Sequence, residues 1–221
     1  MSNANLPKVV CTGPIMPAVP LRLPPKELFL VCDLFAGAGG LSEGLRQAGF
    51  KVAVANEFDA NAAKTYRLNH PETKLIEGDI TLKATKDAIC ACFAEMPCDL
   101  LAGGCPCPDF SGAGMRKGFQ SARGRLVFDY LEMVRRLKPR MAIIENVPGL
   151  LTHTEAMKTI LSIFDFLGYH AEHKVRNSAD YGVPQIRKRL FFIATLRNWR
   201  DRQIIWPESQ FAPAPEGNST P

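Results

Sequence analysis

Residues 29–47 read FLVCDLFAGAGGLSEGLRQ, and this stretch decides the fold. Phe29 to Phe35 is an apolar run of strand length. Leu41 to Gln47 opens a helix, and Gly49 stops it. Between them lies the turn Phe35-Ala36-Gly37-Ala38-Gly39-Gly40. Glycine there lets backbone approach a ligand, and the helix start beyond it offers free N–H groups. An ordinary tight turn has the same composition, so the turn alone does not define a site.

Reading outward, apolar runs alternate with amphipathic stretches. Strands are predicted at Lys51–Ala55, near Leu75, at Leu100–Ala102 and at Met141–Ile144. Helices are predicted at Ala60–Asn69, Lys83–Glu95, Leu126–Leu137 and Glu155–Leu167. Tyr169–Val175 and Leu190–Thr195 read as strands with no helix between them. The pattern predicts an α/β fold: a doubly wound, Rossmann-like, mostly parallel sheet with an antiparallel strand near the C-terminus. Residues 1–27, punctuated by Pro7, Pro14, Pro17, Pro20, Pro24 and Pro25, read as an extended arm. Residues 28–208 form the expected domain, and 209–221 a tail rich in proline and small residues.

A chain of 221 residues, 46% hydrophobic, supports one sizeable core. Its net charge of +5 permits a polyanionic partner without demanding one. Arg116, Lys117, Arg123 and Arg125 cluster, as do Arg187, Lys188 and Arg189. No run is long and apolar enough to span a membrane. The first apolar stretch is broken by prolines, unlike a secretory signal. Seven cysteines without an export signal point to reduced thiols and a cytoplasmic protein. Cys90, Cys92, Cys98, Cys105 and Cys107 include one-residue gaps, whereas zinc pairs are spaced by two to four, so no metal is expected.

Ligands of doubly wound sheets bind beyond the carboxyl ends of the strands. That directs attention to residues 35–42, 56–59, 103–111 and 145–149, each read as directly following a strand. Glu57 stands about 20 residues after the first glycine, where an acid commonly takes ribose hydroxyls. Asp79 is placed to accept a hydrogen bond from an adenine amino group, and Phe58 either packs on adenine or joins the core. Ser42 replaces the third glycine of the dinucleotide pattern, and no lysine serves phosphates. A nucleoside carrying a carboxylate, such as S-adenosylmethionine, fits better. Gly103-Gly104-Cys105-Pro106-Cys107-Pro108 presents a thiol on a stiffened loop, and an ionised thiol is a good nucleophile.

Taken in order, these segments resemble the DNA cytosine-5 methyltransferases from about Phe29 to Glu208. The glycine turn, Gly104-x-Pro106-Cys107, Glu145-Asn146-Val147 and Gln185-x-Arg187-x-Arg189 look like four family motifs. Arg123-Gly124-Arg125-Leu126 and Tyr181-Gly182-Val183-Pro184-Gln185 look like two further family segments. The resemblance implies methyl transfer from S-adenosylmethionine, leaving S-adenosylhomocysteine, to carbon 5 of a flipped cytosine in DNA. It assigns Cys107 as nucleophile, Glu145 to ring N3 and the amino group, and Arg189 to O2. Asn146 orients its loop, and Arg187 supports the loop or nucleic acid. Cofactor contacts are expected from Phe35, Ala36, Gly37, Gly39, Gly40, Leu41, Glu57, Phe58, Asp79, Ile80, Gly103, Pro106 and Leu126.

Two departures stand out. Pro108 replaces the family's glutamine after the nucleophile, removing a side-chain donor and a backbone N–H. Cys105 also stands where the motif usually has another residue. Family members continue beyond Trp206-Pro207-Glu208 into a target-recognition region and two further motifs. Either a second polypeptide carrying that region is the partner, or the chain is a truncated gene product. A catalytically impaired regulatory subunit and an RNA cytosine-5 methyltransferase stand as alternatives. Restriction–modification is one setting for this chemistry.

Overall fold

β1 (Leu30–Leu34) runs up the middle of a twisted sheet, with Val31, Cys32, Asp33 and Leu34 all fully buried. The computed structural model describes residues 28–106, 126–199 and 203–211. Cys107, Pro108, the basic cluster from Arg116 to Arg125, and the arm at 1–27 lie outside them. So does the tail, apart from residues 209–211.

From β1 the chain enters α1 (Gly40–Gln47), β2 (Lys51–Glu57), α2 (Ala60–Asn69) and β3 (Lys74–Glu77). It then crosses through α3 (Lys83–Cys92) to β4 (Leu100–Gly104) on the other side of β1. α4 (Leu126–Leu137), β5 (Met141–Asn146), α5 (Thr154–Phe166), β6 (Tyr169–Asn177) and β7 (Lys188–Leu196) complete the sequence. The sheet order is β3-β2-β1-β4-β5-β7-β6. The first five strands in that order are parallel, and β7 runs antiparallel to both of its neighbours. The expected α/β fold is therefore observed, with the reversed strand inserted between β5 and β6.

Alternation on the strands explains the layers. Cys32, Leu34, Leu101, Ala142, Ile144, Phe192 and Ala194 face α3, α4 and α5 in the main core. Val31, Val52, Leu100 and Ala102 meet Leu45 of α1 on the opposite face. Ala55 meets Tyr66 of α2. The Asp59 side chain caps α2 by accepting the Ala62 N–H, satisfying one of the helix's free donors. Gly49 and Gly168 adopt left-handed φ values of 89° and 88° just past α1 and α5. Among the described residues, no helix is long and apolar enough to cross a membrane.

One expectation is corrected. Glu57, Gly103, Gly104, Glu145 and Asn146 lie inside β2, β4 and β5 rather than in loops after them. Likewise β7 begins at Lys188, so Arg189 is a strand residue. Backbone ladders continue through these polar positions: Glu145 pairs with Phe191, and Arg189 with Arg176. Ladder bonds need only N–H and C=O groups, so hydropathy places the strand ends too early.

Candidate active site

The strand order reverses between β1 and β4, and the carboxyl ends of β1, β2, β4 and β5 converge there. A cavity of about 660 Å³ opens at that point, lined by Phe35, Asn56, Glu57, Phe58, Asp79, Ile80, Thr81, Gly104, Pro106 and Leu126. That volume is within the range of roughly 300–1,000 Å³ usual for ligand pockets. Its described lining carries two carboxylates and no cation.

Phe35 leaves β1 with φ 57°, a left-handed value that is strained for a bulky side chain. Gly37 at 59° and Gly39 at 99° follow in the same turn. Glu57, the last residue of β2, ties this turn to the next strand. One carboxylate oxygen accepts the Gly37 N–H at 2.7 Å. The other accepts the N–H groups of Phe58 at 2.9 Å and Asp59 at 2.7 Å. Glu77, opposite Glu57 on β3, is drawn away by Arg67 at 2.6 Å. Asp79 Oδ1 accepts both the Thr81 N–H and hydroxyl at 2.8 Å, which closes a tight turn after β3.

Phe58 is 73% exposed and lines the cavity, so it is not a core residue. Ala36 turns its methyl into the cluster with Ala55 and Tyr66, and Leu41 packs beside Leu45. Neither they nor Gly37, Gly39, Gly40 and Gly103 are among the lining residues. Gly103 is constrained by packing instead. A Cβ there would lie 3.0 Å from the Leu34 carbonyl oxygen and 3.1 Å from the Tyr130 ring. Asn56 and Thr81 join the cavity without having been singled out in the sequence. Asn56 reads as an ordinary strand residue, yet its amide donates to the carbonyls of Ile76 and Gly78 at 2.9 Å and shapes the floor.

Beside the cavity, Arg189 Nε donates to Glu145 Oε1 at 2.8 Å. Both side chains are about one quarter exposed, at 24% and 25%, so the pair is sheltered but reachable. A Cβ on Gly104 would come 3.2 Å from Glu145 Oε2. The end of β4 therefore passes directly against the carboxylate, three residues before Cys107. Asn146 is buried, and its side-chain oxygen accepts the Val147 N–H at 2.8 Å, turning the chain out of β5. Arg187 is exposed; its backbone N–H donates to the Asn177 side chain at 3.0 Å, closing the β6–β7 connection. Cys105 is buried at 3% in the main core. Among the described residues, no cluster of three or more histidines, cysteines or acids could hold a metal.

The model of the C-5 cytosine-specific DNA methylase family matches residues 29–220. The type II methyltransferase M.NgoPII of Neisseria gonorrhoeae is 41% identical over 165 residues, covering 74% of this chain and 47% of the relative. M.AquIA of Picosynechococcus sp. is 38% identical over 193 residues, covering 82% of this chain and 77% of the relative. A prophage-encoded E. coli protein, assigned as a DNA modification methyltransferase, has a crystal structure at 32% identity and TM-score 0.66, covering 77% of this chain and 47% of that one. The S. pombe Dnmt2 methyltransferase, at 21% identity and TM-score 0.61, shares the fold over 79% of this chain and 52% of its own. The chain spans about half the length of M.NgoPII, and 43% of M.Eco47II of Escherichia coli. A match over residues 29–220, on the doubly wound sheet described above, places this chain in the C-5 cytosine-specific DNA methylase family.

Proposed function

We propose that the chain methylates carbon 5 of a cytosine flipped out of DNA, with Cys107 as the nucleophile. The observation that carries this reading is the Arg189–Glu145 pair at 2.8 Å, set against the end of β4 that leads to Cys107. The two groups offer a planar ring complementary contacts: a carboxyl for N3 and the amino group, and a guanidinium for O2. The Cys107 thiolate adds to carbon 6, which makes carbon 5 nucleophilic. Glu145 holds or supplies the proton at N3, and Arg189 stabilises charge developing at O2. After methylation a water molecule acting as base takes the carbon 5 proton, the C–H electron pair forms the 5,6 double bond as the bond from sulfur to carbon 6 breaks, and the thiolate is regenerated.

The cavity fits S-adenosylmethionine, whose sulfonium supplies an electrophilic methyl group when bound. Two carboxylates and no cation in the described lining suit a positively charged nucleoside better than a phosphate ester. Glu57 keeps lone pairs for ribose hydroxyls, Asp79 Oδ2 for the adenine amino group, and Phe35, Phe58, Ile80 and Leu126 supply apolar walls. Target-sequence recognition is assigned to a region outside this stretch, on the same or a second polypeptide.

The test is covalent capture. With S-adenosylmethionine and DNA carrying 5-fluorocytosine, carbon 5 cannot lose a proton and the enzyme stays attached. A denaturation-resistant adduct is expected, and Cys107→Ala abolishes it. Absence of an adduct from the wild type, with the target-recognition polypeptide supplied, would overturn the reading.

A further inference from the structure

We propose that Asp33, Ser42, Tyr66 and His70 form a positioning circuit that holds the glycine turn in its ligand-binding shape, with Gly39 as its point of contact. None of the four lines the cavity. All are buried, with relative exposures of 0%, 0%, 0% and 4%. Asp33, Ser42 and Tyr66 come from β1, α1 and α2, and His70 is the residue just past the end of α2.

The bonds run in one direction. Ser42 donates its hydroxyl to Asp33 Oδ2 at 2.6 Å. With that proton committed, the Tyr66 hydroxyl at 2.8 Å donates to Ser42 Oγ. Burial pushes the Tyr66 phenol up to about 12, so it stays a donor. Its ring packs on His70, with centroids 4.7 Å apart. His70 closes the circuit by donating from Nε2 to the Gly39 carbonyl at 3.1 Å. The same carbonyl accepts the Glu43 N–H at 2.8 Å in the first turn of α1.

His70 also occupies the space a side chain at Gly39 would need. A Cβ there would lie 2.3 Å from its Nε2 and 2.4 Å from its Cδ2. The turn needs such support. Three of its residues, Phe35, Gly37 and Gly39, are left-handed, and it lacks the repetitive ladder of a strand. Burying four polar side chains is costly unless each is bonded. Here two bonds join Asp33, Ser42 and Tyr66, and the His70 bond lands on the turn that carries Phe35 into the cavity wall. Holding the turn before a ligand arrives removes the ordering cost from binding.

The circuit deepens the proposed cofactor site and rests on that reading for its ligand. The experiment has two arms. In calorimetry with S-adenosylmethionine, Tyr66→Phe and His70→Ala are expected to raise the dissociation constant roughly tenfold each, the effect of losing one hydrogen bond. His70→Gln, which keeps a donor, recovers most of the loss. Gly39→Ala weakens binding strongly in the wild type and at least about fivefold less in the His70→Ala background, because the clash with His70 is gone while the strain at φ 99° and the 3.2 Å approach to the Tyr66 ring remain. Additive effects, or unchanged affinities, would overturn the circuit. In the second arm, hydrogen exchange at the Gly37 and Gly39 amides is followed without ligand. Both are expected to exchange roughly tenfold faster in Tyr66→Phe and His70→Ala, with core strands unchanged. Unchanged turn amides, or uniform acceleration everywhere, also refute it. A wild type that fails to bind S-adenosylmethionine counts against the proposed function, while the exchange arm still decides the circuit.

Discussion

Asp33 shows what a single residue contributes. Its carboxyl is fully buried, and burial raises it from an ordinary 3.8 to about 7, with the nearby Glu57 charge acting in the same direction. Oδ1 has no hydrogen-bond partner among the described residues. Because the folded value lies above the unfolded one, the native state keeps a proton that the unfolded chain releases. This contribution is full below about pH 4 and is lost as pH rises through about 7. The displacement corresponds to at most about 4 kcal/mol. Thermal melts of wild type should therefore lose stability between about pH 4 and 7, and Asp33→Asn should flatten that slope. Equal slopes would show that Asp33 stays ionised in the fold. Glu57, Asp79 and Glu145 were legible individually, since each follows or ends an apolar run, whereas Asp33 sits inside one and was not singled out. Their partners were not. Nothing in the spacing of Glu145 and Arg189, or of Gly39 and His70, says that they touch, because those contacts arise only when separate strands and helices meet.

At the scale of elements, β4 shows how packing and chemistry share a strand. Tyr130 of α4 is buried, and its hydroxyl lies 2.7 Å from the Leu101 carbonyl and 3.0 Å from that of Ile143. α4 is thereby fastened to β4 and β5 together. Gly103 is the gap that lets the ring lie flat against the strand. Gly103→Ala must displace either the ring or the Leu34 carbonyl, an overpacking cost of about 1–3 kcal/mol. A lower melting temperature is expected, and restoration by Tyr130→Leu in the same chain would locate the conflict. An unaltered melt would mean the strand moves freely. Helix positions were legible because caps and apolar spacing mark them: Ala60–Asn69 and Leu126–Leu137 lie where the periodicity predicts. Strand ends were less so. Glu57, Glu145 and Lys188 look like loop residues by hydropathy, yet the ladder carries them. The consequence is functional, because these side chains stand on the rigid sheet.

For the whole molecule, alternation of strands and helices predicted the layers, and the unbridged pair after α5 predicted an antiparallel strand. The place of that strand was not legible. β7 follows β6 in the chain but sits between β5 and β6. Its core-facing residues Leu190, Phe192 and Ala194 could pair with either neighbour, and they pair with both. That placement has a consequence for synthesis. A chain emerging from the ribosome exposes β5 and β6 before β7 exists, with a slot one strand wide between them. Two unpaired edges facing an empty slot invite a strand from another molecule. A chain stopped after Arg187 is expected to aggregate in light scattering, and a peptide spanning 188–199 added during refolding should keep it monomeric. A monomeric, folded truncation would show that β5 and β6 close the slot themselves. On the expected outcome β7 is a keystone, whose arrival ends the interval in which a nascent chain is open to its neighbours.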